Sequence, residues 1–167
     1  MEAGVVGFEG AVGTPLAVGL RTTSLGAIIR IAGSGFRIPA LAFQAVVCGL
    51  PGFQHTLGRY AVLQAMQVAQ TAACNRLHDV EQRLARWLLM AQDRVDAGVL
   101  EMTHDFLAVM LGTDRPSVSI AAAALQRRNA IRYSRGSLQI LNRKRLESAA
   151  CECYRRIQQW NGDLGLK

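Results

Sequence analysis

Glycine is scarce over most of this 167-residue chain: eleven of its sixteen glycines lie between Gly4 and Gly58, and five lie beyond. The first third is therefore excluded from being mainly helical, while the remainder is free to form long helices. Lysine is almost missing, since only Lys144 and Lys167 of the nineteen basic side chains are not arginine, and the twelve acidic residues leave a net charge of +7. No apolar run reaches the ~20 residues that span a bilayer; the longest uncharged stretch, Ile38 to Gln54, is interrupted by Pro39 and Pro51. The opening Met1-Glu2-Ala3-Gly4 lacks the basic start of a signal peptide. Four cysteines, Cys48, Cys74, Cys151 and Cys153, make no recognisable disulfide framework. These absences predict a cytoplasmic protein with reduced thiols and no membrane partner.

Chemical motifs are missing as well. His55, His78 and His104 belong to no H-E-x-x-H pattern, and there is no phosphate-cradling glycine loop, no nucleophile elbow and no matched carboxylate pair. Neither an enzyme nor a cofactor is expected. Cys151-Glu152-Cys153 lacks the usual ligand spacings. On one continuous helix its two thiols would point about 200° apart, so structural or incidental thiols are the expectation and no metal is assigned.

What is present is half hydrophobic by residue count, enough for a folded core. The pattern predicts an α+β protein in three parts. Residues 1–52 contain short β-rich runs, Ser24 to Ile31 and Gly35 to Ile38, around a Gly33-Ser34-Gly35 turn, and then a short helix from Ala40 to Val47. Residues 53–78 read as a long helix whose stripe Leu57, Ala61, Gln64, Val68, Thr71 and Asn75 has the 4-3-4 rhythm of side-by-side helix pairing. Dimerisation through this stripe and packing on the chain's own domain both remain open. A second helical run continues to Asp96. Residues 79–160 shorten into a helix from Thr103 to Leu111, a turn at Gly112-Thr113-Asp114, and a helix from Pro116 to Arg128. Two strand-like runs follow, Ile131 to Tyr133 and Leu138 to Leu141, and a final helix from Arg143 to Trp160.

Helix, turn, helix, hairpin is the layout of a winged helix-turn-helix. Phe106, Leu107, Met110 and Leu111 supply the inner face of the first helix; Val118, Ala122 and Leu125 supply that of the second. Gly112 sits where a left-handed turn is needed, Thr113 or Asp114 can cap the next helix, and Pro116 fits its first turn. The outward face is then Pro116, Ile120, Ala123 and Arg127, flanked by Arg115, Ser117 and Ser119. Residues 115–145 hold eight basic side chains and no acidic one. Such a single-sign surface predicts double-stranded DNA as the partner, with Arg115, Pro116, Ser117, Ser119, Ile120 and Arg127 at the groove. Arg135 in the wing and Arg143 and Lys144 beyond it are expected on phosphate.

These stretches, with Asp79 to Leu89, Phe106 to Gly112 and Ala130 to Gly136 carrying the likeness, resemble the C-terminal half of the Crp/Fnr family of transcription regulators. The resemblance covers about half the chain, from Cys74 to Tyr154. It implies a dimerisation helix, a homodimer on a two-fold symmetric DNA site, and RNA polymerase as a further partner. It also implies a β-roll sensor ahead of the helix, of which residues 1–52 would be a truncated remnant. Glu9-Gly10 and Arg21-Thr22-Thr23 are a degenerate echo of the family's nucleotide cassette, so cyclic-nucleotide binding is not expected. A second reading is a truncated relative that modulates an intact regulator through protein contacts.

Overall fold

Prolines and side-chain caps set most helix boundaries. The computed structural model describes residues 2–23, 25–95, 98–163 and 165. Pro15 opens a short 3-10 helix (Thr14–Val18), Pro39 precedes α1 (Ala40–Gly49), and Pro51 starts α2 (Pro51–Leu77), where its missing N–H is harmless. Asp79 caps α3 (Val80–Gln92) in a reciprocal box: its carboxylate accepts from Gln82 N at 2.8 Å, and Gln82 Oε1 accepts from Asp79 N at 3.3 Å. The chain continues through β1 (Val99–Glu101), α4 (His104–Leu111), α5 (Arg115–Arg127), β2 (Ile131–Ser134), β3 (Ser137–Ile140), α6 (Arg143–Ala149) and α7 (Cys153–Asp163). The class is α+β, as the pattern predicts.

The three strands form one antiparallel sheet in the order β1-β3-β2, with Leu100 opposite Leu138 and Tyr133 opposite Leu138 on the other side. α3 lies at the centre of the C-terminal unit and is buried from Arg83 to Ala91. Around it pack Leu107 and Leu111 of α4, Val118 and Leu125 of α5, Ile131 and Leu138 of the hairpin, Leu146 of α6 and Ile157 of α7. A smaller cluster, Ala17, Val47 and Leu57 with Phe43, joins the 3-10 helix, α1 and α2.

The structure corrects several expectations. The β-rich runs before residue 40 form no strand among the described residues; Ser24, the start of the first, lies outside them. A strand needs a partner for its N–H and C=O groups, and here Ile28, Ile29 and Phe36 stay exposed with nothing to pair against. β1 is a strand that the pattern does not predict. Three residues are too few to show an alternation, and the strand exists because β3 offers it an edge. The helical run expected to reach Asp96, itself outside the described residues, ends at Gln92.

The last helix is two helices. Ala150 adopts an extended ψ of 151° and breaks the chain between α6 and α7. No Gly or Pro marks the break. It turns Cys151 and Cys153 inward together, both buried, against Cys74 of α2, so the 200° separation of their thiols on a continuous helix does not apply.

The N-terminal residues are pinned rather than rolled. Glu2 accepts from Trp87 Nε1 at 2.6 Å, and Glu9 pairs with Arg94 at 2.9 Å with both side chains over nine-tenths buried.

A candidate nucleic-acid interface

Two helix caps and one left-handed residue shape the helix-turn-helix. Thr103 Oγ1 accepts from Phe106 N at 3.1 Å and starts α4. Gly112 ends it at φ 61°, ψ 45°, where a Cβ would be strained. Asp114 Oδ1 accepts from Ser117 N at 2.8 Å and starts α5, with Pro116 in the first turn. That hydrogen bond, followed by the one from the Ser117 hydroxyl, holds the Asp114 carboxyl below its ordinary range. The buried Arg83 guanidinium donates to the Leu111 carbonyl and so closes the C-terminal end of α4.

The inner face of the second helix is as the spacing predicts: Val118, Ala122 and Leu125 are buried, with Ala121 beside them. On the first, Leu107 and Leu111 are buried while Phe106 and Met110 are half-buried against the same core. Phe106 meets Trp87 edge-on at 5.9 Å.

The outward surface carries the charge. Arg115, Pro116, Ile120 and Arg127 of α5 are exposed, as are Arg132, Arg135, Lys144 and Arg145. Arg135 and Gly136 take φ 50° and 85° at the hairpin tip, two successive left-handed residues of the kind that suit a tight hairpin. Arg115 lies 3.7 Å from Asp105, both exposed, a pair that water and salt largely screen.

Four expected contacts stand differently from how the wheel places them. The Ser117 hydroxyl donates to Asp114 Oδ2 at 3.0 Å, and the Ser119 hydroxyl donates to the Arg115 carbonyl at 3.0 Å. Both are already engaged within the helix-turn-helix. Ala123 is half-buried. Arg143 is committed to the fold: it reaches Asp93 at 2.6 Å, Glu147 at 3.0 Å, Gln92 at 2.9 Å and the Tyr154 hydroxyl at 2.5 Å. A guanidinium with four acceptors of the chain's own ties α6 to α3 and α7.

Behind α5 lies a support that the sequence reading missed. His104 Nδ1 is 2.8 Å from Ser119 Oγ, and its ring stacks on Tyr133 at 4.2 Å. Burial, then the nearby Arg115 charge, holds the imidazole below its ordinary pKa, so it is neutral at pH 7. Tyr133 donates its hydroxyl to the Met102 carbonyl at 3.0 Å, and its backbone N donates to Gln126 Oε1 at 2.9 Å. α5 and the β2–β3 hairpin are thereby held as one piece. A lone histidine at a helix start gave no sign of this.

The stripe expected to pair two copies is partly covered by the chain itself. Leu57 and Thr71 are buried, and Gln64 accepts from the Thr14 hydroxyl at 2.9 Å and donates to the Ala11 carbonyl at 3.3 Å. Ala61, Val68 and Asn75 are half-buried. The face of α2 left open carries Val62, Met66, Ala69, Ala73 and Leu77.

The geometry is that of a winged helix-turn-helix, and comparison places it more narrowly. Residues 82–149 match the family of Crp-like helix-turn-helix domains, in agreement with the Crp/Fnr resemblance of the sequence. Among solved structures, FixK2 from Bradyrhizobium japonicum is similar at a TM-score of 0.60 and 16% identity, covering 68% of this chain and 60% of that one. A transcriptional regulator of the Crp/Fnr family from Eubacterium rectale is similar at 0.52 and 22%, covering 67% and 52%. A CooA variant from Carboxydothermus hydrogenoformans gives 0.53 and 22%, covering 65% and 53%. At these identities the likeness is one of fold, and the chain matches little more than half the length of these relatives. No curated protein matches it. Among the described residues no helix is long and apolar enough to cross a membrane.

Proposed function

We propose that the chain is a DNA-binding transcription regulator of the Crp/Fnr type that places α5 in the major groove. The observation that carries this reading is the concentration of exposed basic side chains on α5, the wing and the start of α6. Arg115, Arg127, Arg132, Arg135, Lys144 and Arg145 are exposed there with no acidic residue between positions 115 and 145. Arg115 at the N-terminal end of the helix reads a base edge, Ile120 meets a thymine methyl, and Arg127, Arg135 and Lys144 grip phosphate. Arg143 leaves this set because its partners are internal. Most of the affinity then comes from phosphate neutralisation, with a steep salt dependence.

The proposal includes a homodimer. The open face of α2, Val62, Met66, Ala69 and Ala73, has small and apolar side chains at 4-3-4 spacing, which suits close approach of a second copy. It replaces the stripe beginning at Leu57. Two copies would present their recognition helices to half-sites about one helical turn apart.

Selection of bound sequences from a random duplex pool tests the reading. The expected outcome is a two-fold symmetric site; recovery of unrelated sequences would remove the specific-regulator reading. A second reading, modulation of an intact regulator by protein contact, is favoured by one observation: Leu25, Ile28, Ile29 and Phe36 are apolar and exposed together in the N-terminal segment.

A further inference from the structure

Cys74 lies in the last turn of α2, and His78 is the residue that caps it, its backbone N donating to the Cys74 carbonyl at 3.1 Å. Cys151 lies in the break between α6 and α7, and Cys153 is the first residue of α7. The fold gathers all four: one ligand atom from each, three Sγ and a histidine ring nitrogen, lies within 4.8 Å of every other. Cys74 Sγ is 3.5 Å from Cys151 Sγ, and Cys153 Sγ is 3.7 Å from His78 Nδ1. A tetrahedral ion with metal–sulfur bonds of about 2.3 Å needs ligand atoms about 3.7 Å apart. The Cys74–Cys151 and Cys153–His78 edges match that figure, and no other edge exceeds 4.8 Å.

The surroundings are those of a ligand set rather than of idle thiols. All three cysteines are buried, at 0%, 4% and 1% exposure. His78 Nε2 lies 3.1 Å from the Glu152 carboxylate, which fixes the ring with Nδ1 directed at the sulfurs, the carboxylate–histidine arrangement of protein metal sites. Gln70 Nε2 donates to Cys153 Sγ at 3.0 Å. The Arg86 charge acts on Cys74, and Arg86 is itself buried with its Nε unpartnered. Three thiolates and a neutral imidazole on a dication leave one negative charge, which this guanidinium offsets.

We infer that Cys74, His78, Cys151 and Cys153 form a closed four-ligand zinc site that clips the end of α2 to the junction of α6 and α7. On binding, Zn2+ takes the place of three thiol protons, which pass to solvent, and no electron moves. With four protein ligands there is no open position, so the ion is structural. An iron–sulfur cluster carries its ligands on separate irons, and its bulk does not fit among atoms at most 4.8 Å apart. The clip joins the helix that carries the proposed dimer face to the unit that carries the proposed DNA face, so it sets the angle between them.

The test uses the full chain, reduced and stripped of metal, titrated with Zn2+ against a chromophoric chelator and, separately, with Co2+. The expected result is one zinc per chain, with thiolate-to-cobalt charge transfer and the strong visible bands of a tetrahedral site. C151S, C153S and H78Q should each weaken zinc binding by more than about 100-fold. E152A, an exposed change that leaves all ligands in place, should weaken it by about 10-fold. C48S should leave it unchanged, because Cys48 is exposed and outside the cluster. Circular dichroism on each variant separates lost ligation from lost fold. A folded chain that binds neither ion stoichiometrically would overturn the site. So would undiminished binding in a C151S/C153S chain, or a reduced chain that binds no zinc and only closes a Cys74–Cys151 disulfide in air.

Discussion

Residues 20–39 and residues 80–163 have comparable fractions of apolar side chains and use them in opposite ways. In the first stretch Leu20, Leu25, Ile28, Ile29, Phe36 and Ile38 are all exposed; in the second, α3 is buried on every side by four helices and a hairpin. Hydrophobicity by itself does not make a core. A core forms where apolar faces recur at a helical period and short connections fold them back on one another, and only the C-terminal stretch has both. Arg30 illustrates how little holds the other: its guanidinium sits 4.5 Å over the Phe106 ring, borrowing a surface of the packed unit.

The largest expected effects separate these two regions directly. Leu107→Ala should cost about 2–5 kcal/mol, because it empties a fully buried position, whereas Ile29→Ala should change stability by less than about 0.5 kcal/mol. Urea unfolding of both variants measures this. An Ile29 variant as damaging as the Leu107 variant would show that a second copy or a partner covers the exposed segment. The pinned residues nearer the N-terminus form an intermediate case. Glu9→Ala leaves Arg94 buried without its carboxylate, so a loss of about 3 kcal/mol is expected in the same assay.

Smaller effects separate binding from folding within the C-terminal region. Arg115→Ala should lose about 1–3 kcal/mol at the selected DNA site and little on random duplex. Arg127→Ala, Arg135→Ala and Lys144→Ala should weaken both alike, each lowering the salt slope by about 1. Arg143→Ala should instead lower the unfolding temperature and leave the salt slope unchanged, since its partners are Asp93, Glu147, Gln92 and Tyr154. Fluorescence anisotropy at several salt concentrations, paired with thermal melts, distinguishes the two classes.

The smallest effect concerns pH. His104 packs against Tyr133 and Ser119 with Arg115 and Asp105 nearby, and its folded pKa lies below the unfolded value. The unfolded chain therefore binds the proton first. Stability from this residue is complete above about pH 6.5 and is lost as pH falls from there through the lower folded pKa. Thermal melts between pH 7.5 and 5 should show that slope for the natural chain, and His104→Gln should flatten it.

Much of the C-terminal unit was legible because its signals are local. Thr103, Gly112, Asp114 and Pro116 act on backbone within four residues of themselves, and Val118, Ala122 and Leu125 repeat at the period of the helix that buries them. The run of basic residues from Arg115 to Arg145 is visible in one dimension. What escaped reading depends on partners far away in the chain. Arg143 looked like a phosphate ligand because its acceptor Asp93 lies fifty residues earlier, and β1 appears only once β3 supplies its edge. Leu57 and Gln64 looked free to meet another copy because nothing in the helix announces that residues 11–17 lie across it.

By itself, then, the sequence determined the order of helices, the turn and wing of the C-terminal unit, and the sign of its surface, since short-range sterics, capping and charge decide these. Tertiary structure alone decided which arginines face outward, that the β-rich runs stay unpaired, and that the last helix breaks at Ala150. It also decided that Cys74, His78, Cys151 and Cys153 meet. Each of those outcomes turns on whether residues tens of positions apart meet, which packing against α3 and α2 decides and no local preference encodes.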